Sequence, residues 1–224
     1  MLQKKRYFRL MIFQLDQTNS VANRFIAEMR NVHTQQNPQR FRNNQIRLGE
    51  ILAYEISKKL DYQQTEVKTP LGIAKVNLPV MQPVLATILR AGLPFHQGFL
   101  NFFDRSASAF ITAYRKTDEN HDFTIQVEHI SSPNLDGQVV ILCDTMLASG
   151  QSIVKVCQRL QSQYQLKQLH IAAVIASAAG LKYVQENLPE ARIWVGTVDQ
   201  EMNSYSYIVP GLGDAGDLSF GEKN

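Results

Sequence analysis

The chain has 224 residues, 44% of them hydrophobic and 19% charged, a size and composition that suit one large folded domain and exclude a disordered chain. Its 23 basic and 20 acidic residues leave a net charge of +3, too balanced to make nucleic acid the main partner, though a small anionic ligand fits it. No uninterrupted apolar run approaches bilayer-spanning length, so no membrane partner is expected.

The N-terminal segment MLQKKRYFRLMIFQL is basic and then apolar. Its apolar part is short, broken by Arg9, Gln14 and Asp16, and no small-residue cleavage site follows, so it does not read as a signal peptide and cytoplasmic residence is expected. Residues 1–18 read as an irregular or extended arm. Asn19 or Ser20 then caps a helix with Val21, Phe25, Ile26 and Met29 on one side. A second helix is expected from about Pro38 to Leu60, with Ile46, Leu48, Ile51, Leu52 and Ile56 at helical spacing. Glu66 to Val76, centred on Thr69-Pro70-Leu71-Gly72, reads as a short hairpin with a proline-led turn.

From there strands and helices alternate. Strands are expected at 84–89, 107–114, 138–143, 169–176 and 192–198, and helices at 93–103, 149–164 and 180–187. This alternation argues for an α/β fold with a central parallel sheet flanked by helices on both faces. The exception is the polar stretch between Arg115 and Asp136, whose alternating segment Phe123–Ile130 suits a mobile hairpin projecting over a site. No internal repeat or low-complexity linker divides the chain. Cys143 lies within an apolar strand and Cys157 on the buried stripe of a helix, so both read as structural thiols of a reducing compartment.

The most informative stretch is Val139-Val140-Ile141-Leu142-Cys143-Asp144-Thr145-Met146-Leu147-Ala148-Ser149-Gly150-Gln151-Ser152. A buried strand ends in an acid, and a Ser/Gly turn opens an amphipathic helix. That is the layout of a phosphate cradle, because ligands sit beyond the carboxyl ends of parallel strands and a helix start offers unpaired N–H groups to an anion. Ser149 and Ser152 add hydroxyl donors. Asp144 would repel a phosphate, so its place is beside sugar hydroxyls. The plainer alternative is an ordinary strand–helix junction with a serine cap. A Walker loop is excluded, since Gln151 stands where its lysine would be.

Gly211-Leu212-Gly213-Asp214-Ala215-Gly216 matches the dinucleotide-binding pattern G-x-G-x-x-G, but the context defeats that reading. The fingerprint needs a helix and an acid about 20 residues later, and 8 residues remain after Gly216. What survives is a glycine-rich loop whose backbone can approach a flat ligand and complement the acceptor, donor, acceptor edge of uracil. A flexible tail with turn glycines is the alternative.

Three segments together resemble the uracil phosphoribosyltransferases: Thr87-Ile88-Leu89-Arg90-Ala91-Gly92-Leu93, the cradle Cys143–Ser152, and Tyr207–Asp217. Met29-Arg30, Phe41-Arg42, Tyr54-Glu55 and Thr69-Pro70-x-Gly72 agree as well, so the resemblance covers residues 26 to 221. It implies a type I phosphoribosyltransferase fold with a small hood and a β-arm, in a single domain 1–224. Residues 1–35 and 200–224 would contribute to the hood, and 115–136 would form the mobile arm. The implied activity is pyrimidine salvage, transferring ribose 5-phosphate from phosphoribosyl pyrophosphate (PRPP) to N1 of uracil to give UMP and pyrophosphate.

The implied catalytic residues are Arg90, Arg115 and Asp214. The arginines match the family's pyrophosphate-binding pair, a fork geometry suited to a polyanion, with structural ion pairs as the alternative for each. PRPP would contact these three together with Asp144, Thr145, Met146, Leu147, Ala148, Ser149, Gly150, Gln151 and Ser152. Uracil would contact Ile208, Gly213, Asp214 and Ala215. Mg2+ is the implied cofactor, bound through PRPP oxygens more than through a protein cage and near Asp214. A homodimer or higher homo-oligomer is implied too, and GTP as an activator, as in some members.

The chain departs from the family's usual cradle at Thr145 for proline, Ser149 for threonine and Gln151 for glycine, and again at Leu218 and Ser219. Gln151 is the most serious departure, because a glycine beside a phosphate can take φ > 0 or allow close approach. An alternative keeps the fold without turnover: a regulatory protein that binds PRPP or a pyrimidine nucleotide. A nicotinamide-dependent dehydrogenase and a phosphoribosyltransferase for another base are the remaining rivals.

Overall fold

The computed structural model describes residues 12–117 and 123–222. Parts of the expected hood (1–11, 223–224) and of the expected arm (118–122) lie outside the described residues. After a short strand β1 (Ile12–Gln14), helix α1 (Val21–Arg30) begins at Ser20, whose hydroxyl accepts from the Ala22 N–H while the Asn23 side chain accepts from the Ser20 N–H. This reciprocal cap satisfies two of the helix's otherwise unpaired donors. Ala22, Ile26 and Met29 form the buried face; Val21, expected there, is exposed.

Helix α2 (Pro38–Ser57) starts with Asn37 accepting from the Arg40 N–H and Pro38 in the first turn. It buries Phe41, Leu48, Leu52 and Ile56, and with them two polar side chains, Asn44 and Gln45. Glu28 ties α1 to α2 by accepting from Arg40 and Asn44, and these bonds hold its carboxyl down at about 2 against the cost of partial burial. The hairpin is longer than expected: β2 (Tyr62–Thr69) pairs antiparallel with β3 (Gly72–Pro79) around Pro70-Leu71.

The expected alternation follows as β4 (Val84–Leu89), α3 (Leu93–Phe102), β5 (Ser108–Thr117), β6 (Phe123–Ser131), β7 (Val139–Leu147), α4 (Gln151–Gln163), β8 (Gln168–Ser177), α5 (Ala178–Asn187) and β9 (Arg192–Asp199). Beyond it lie β10 (Glu201–Met202), β11 (Ile208–Val209) and α6 (Ala215–Phe220). The central sheet runs β1-β9-β8-β7-β4-β5-β6, parallel except for β6, which returns antiparallel along β5. The alternating segment of the sequence is therefore the second strand of a hairpin with β5.

Successive strand residues face opposite layers. Leu85, Ile141, Cys143, Val174 and Trp194 pack with Leu48, Leu52, Phe95 and Phe99 from α2 and α3. Ala86, Val140, Leu142, Ala173 and Val195 pack with Val156, Leu160 and Val184 from α4 and α5. Both cysteines are buried and unbridged; burial pushes the Cys157 thiol up to about 12 and Cys143 well above its usual value, so neither is a nucleophile.

The strand order positions the site. From β7 the chain proceeds outward through β8 to β9, and from β4 it proceeds the other way to β5. Parallel neighbours β4 and β7 thus mark the point where the winding reverses, and the loops at their carboxyl ends diverge to leave a crevice.

Candidate active site

Both segments that head the crevice are candidates from the sequence: the Arg90-Ala91-Gly92 loop after β4 and the turn after β7. Strand β7 runs farther than expected, to Leu147, because Asp144, Met146 and Leu147 pair in register with Ala173, Ile175 and Ala176 of β8. Asp144 is consequently held on a strand. Its Oδ1 accepts from the Thr145 N–H at 2.7 Å, yet burial outweighs this and pushes the carboxyl up to about 7. Hydroxyl donors brought by a ligand would favour its charged form.

At the start of α4 the residue in the left-handed region is Gly150, with φ 78. Gln151 is the first helical residue, so its replacement of a glycine imposes no positive φ. Ser149 Oγ accepts from the Gln151 N–H at 3.4 Å. The turn is braced from behind by α5. The Ser177 hydroxyl donates to the Ala148 carbonyl at 2.6 Å and accepts from the Gly180 N–H at 2.8 Å, and a Cβ on Gly180 would collide with that same carbonyl.

The third segment comes from the far end of the chain. Arg30 sets its two terminal nitrogens on the two oxygens of Asp199, both at 2.8 Å. Arg30 also donates to the Gly211 carbonyl, and Asp199 accepts from the Gly211 N–H at 2.8 Å. Burial draws the Asp199 carboxyl upward, but Arg30 and the Gly211 N–H together more than offset it and leave it below the ordinary range. The loop is thus fastened by both main-chain polar groups of one residue, Gly211. Asp214 caps α6: its Oδ1 accepts from the N–H groups of Gly216 at 2.8 Å and Asp217 at 3.1 Å.

The turn after β7, Ile88 of β4 and the segment bearing Tyr205–Tyr207 and Asp214 line a cavity of about 710 Å3. Of the expected ligand-binding residues, Asp144, Met146, Leu147, Ala148, Ser149, Gly150, Ser152 and Asp214 line it. Thr145, Gln151, Arg90, Ile208, Gly213 and Ala215 do not. Thr145, Ile208 and Ala215 are buried in the protein. Arg90 Nη2 lies 3.4 Å from Asp217 Oδ1 and donates to the Gly221 carbonyl at 3.1 Å; its Nε is buried without a partner. Arg115 lies on β5 opposite Ile125, and its side chain is outside the described residues.

The cavity also has lining residues that sequence reasoning missed: Tyr114, Tyr205 and Tyr207. Tyr207 lay within the motif that carried the resemblance, without a role; the N–H groups of Tyr205 and Tyr207 both donate to Asn203 Oδ1 at 3.0 Å. A smaller cleft of about 330 Å3 lies at the amino ends of β8 and β9, away from all these groups. Among the described residues no group of three His, Cys, Asp or Glu side chains could cage a metal ion. Two carboxylates in one cavity, Asp144 and Asp214, fit a divalent cation held mainly by ligand oxygens. No helix among them is long and apolar enough to cross a membrane.

Known proteins resemble this chain over most of its length. A protein from Porphyromonas gingivalis named uracil phosphoribosyltransferase is 47% identical over 213 residues, covering 95% of this chain and 99% of its own. Proteins of the same name from Pyrococcus furiosus and Methanococcus maripaludis are each 33% identical, over 82% and 88% of this chain and 79% and 84% of their own. The solved structure of the AQ2163 protein from Aquifex aeolicus superposes with a TM-score of 0.84 at 28% identity, covering 94% of this chain and 98% of that one. The sequence model of the family described as uracil phosphoribosyltransferase matches residues 17–222. The chain belongs to the uracil phosphoribosyltransferase family.

Proposed function

We propose that the protein transfers the 5-phosphoribosyl group of PRPP to N1 of uracil. The C1–O bond to pyrophosphate breaks, the C1–N1 bond forms, the N1 proton is released, and UMP and pyrophosphate leave. One observation carries the reading: the β7 acid with its serine-bearing helix start and, far along the chain from them, the Asp214 loop line a single cavity at the winding reversal of the sheet.

In this reading the 5-phosphate rests on the N–H groups and hydroxyls of Ser149–Ser152, and Asp144 accepts from the ribose hydroxyls. Arg90 and Arg115 meet the pyrophosphate. The unpaired Nε of Arg90 favours such a role, since a guanidinium with a buried donor to spare gains a hydrogen bond when an anion arrives. The main chain at Gly213–Ala215 holds the edge of uracil. Asp214 lies between the two ligands, and one of its oxygens is already committed to the α6 cap. Asp144 and Asp214 would be available to a Mg2+ carried in on PRPP, which would supply part of the charge neutralisation at the leaving group. The protein's own task is to fix N1 against C1 and keep water out, with 115–136 as the covering arm and 1–35 with 200–224 as the hood.

Incubating the protein with PRPP, Mg2+ and separately uracil, cytosine, orotate or hypoxanthine tests the reading. Nucleotide and pyrophosphate are expected with uracil alone. Product with another base reassigns the acceptor, and binding without product makes the chain a nucleotide-responsive regulator. Adding GTP to the uracil reaction tests the expected activator. The homo-oligomer is supported by the ribbon β2–β3, whose Leu71 is 100% exposed and Ile73 69% exposed; sedimentation of wild type against Leu71→Lys tests it.

A further inference from the structure

Two positions at which the chain departs from the usual family pattern, Thr145 on the cradle strand and Ser219 on α6, meet at one buried side chain. Gln45, on α2, has no exposed surface, and neither do Thr145 and Ser219. Gln45 Nε2 lies 2.7 Å from Ser219 Oγ, and Gln45 Oε1 lies 2.9 Å from Thr145 Oγ1. Thr145 Oγ1 is also 2.7 Å from the carbonyl of Ala91, next to Arg90. Thr145 has one proton and cannot donate to both oxygens. With the Gln45 amide turned end for end, the amide donates to Thr145, Thr145 donates to Ala91, and Ser219 donates to the amide oxygen. Either orientation of the amide bridges the same three segments. Arg42 fastens the junction from outside by donating to the Ser219 carbonyl at 2.6 Å.

The junction therefore joins the strand that presents Asp144, the loop that presents Arg90 and the helix that Asp214 caps. None of its three side chains lines the cavity. Their hydrogen bonds hold only at one mutual placement of the three segments, because a buried donor or acceptor that slips out of range finds no water. We propose that Thr145, Gln45 and Ser219 are positioning residues that couple the donor half of the active site to the acceptor half, so that a change at either end is felt by both substrates. This rests on the transferase reading given above.

The test compares KM for PRPP, KM for uracil and kcat in wild type, Thr145→Val, Ser219→Ala and the double variant, with Thr145→Ser as the hydroxyl-restoring control. Calorimetric UMP affinity is measured on the same proteins, and thermal melting shows that each is folded. Turnover of uracil by wild type decides the underlying reading by itself; if it is absent, the UMP affinities still decide the coupling. Thr145→Val is expected to raise the uracil KM, and Ser219→Ala the PRPP KM, each by roughly fivefold or more. The double variant should match the worse single variant within about twofold, as members of one network do. Thr145→Ser should return close to wild type. Effects confined to the nearer substrate, UMP affinity losses that multiply in the double variant, or constants unchanged while only melting shifts would overturn the coupling.

Discussion

The two halves of the cavity are built by different means. The Asp144 turn grows from β7, an interior strand paired on both sides, so its place is dictated by backbone ladders and two apolar layers. The Asp214 loop follows the short strands β10 and β11, outside the central sheet, and is held by side chains: Arg30 and Asp199 on Gly211, and Gln45 and Arg42 on Ser219. Backbone pairing distributes its support over many residues, whereas side-chain clamps concentrate it in few. Single substitutions should therefore loosen the acceptor half without disturbing the fold, while the donor half, apart from the side chains that touch the ligand and the Gln45 junction, should yield mainly to changes that strike its backbone.

The largest effect should come from Asp214→Asn. Asparagine caps a helix as well as aspartate does, so the fold should melt as wild type while kcat falls by about 10²–10³, the cost of removing one electrostatic group at a reacting centre. Wild-type rates in that variant would remove Asp214 from the chemistry. Gly180→Ala strikes the cradle's backbone support, and displacing the Ala148 carbonyl should lower kcat/KM for PRPP by roughly tenfold or more through misplacement of the phosphate. Its KM for uracil should hardly move, and an equal change in both would blur the distinction between the halves. Arg30→Lys keeps the charge but loses the fork; the uracil KM should rise by about tenfold, the equivalent of one lost charged hydrogen bond, with the PRPP KM unchanged.

The smallest effect concerns stability. Folding raises the Asp144 carboxyl from 3.8 to about 7, so the protonated form suits the folded protein better. The stability this group contributes is then fully present below about pH 4 and lost as pH rises through 7. Asp144→Asn, uncharged throughout, should melt higher than wild type above pH 7, by about 5 °C for a cost of roughly 2 kcal/mol after allowing for partial solvation. The two proteins should converge below about pH 4, where a persisting gap would contradict the assignment. The same variant should bind PRPP more weakly, which places functional cost and stability gain on one side chain.

The donor half was legible because its signals are local. A strand run, a terminal acid and a Ser/Gly turn occupy 14 consecutive residues, Val139 to Ser152. The end of β7 escaped, since Asp144 looks like a strand breaker until Ala173 of β8 pairs alongside it. The hairpin ends escaped for a related reason: most side chains of β2 and β3 are exposed, so no apolar alternation marks the full extent. In the acceptor half the glycine loop could be read, but its supports could not. Arg30 meets Asp199 across 169 positions and Gln45 meets Ser219 across 174, and no local pattern announces such partners. Gln151 shows the converse. It departs from the family pattern, and the structure puts the positive φ at the neighbouring Gly150, which the chain retains.

A crystal structure with UMP bound tests the central claim most directly, since that one molecule must span both halves. The account predicts its phosphate on the turn Ser149–Ser152, its ribose hydroxyls on Asp144 and its base edge against the main chain of Gly213–Ala215. UMP seated elsewhere, such as the cleft beside Lys167 and Arg192 at the opposite ends of the strands, would contradict it.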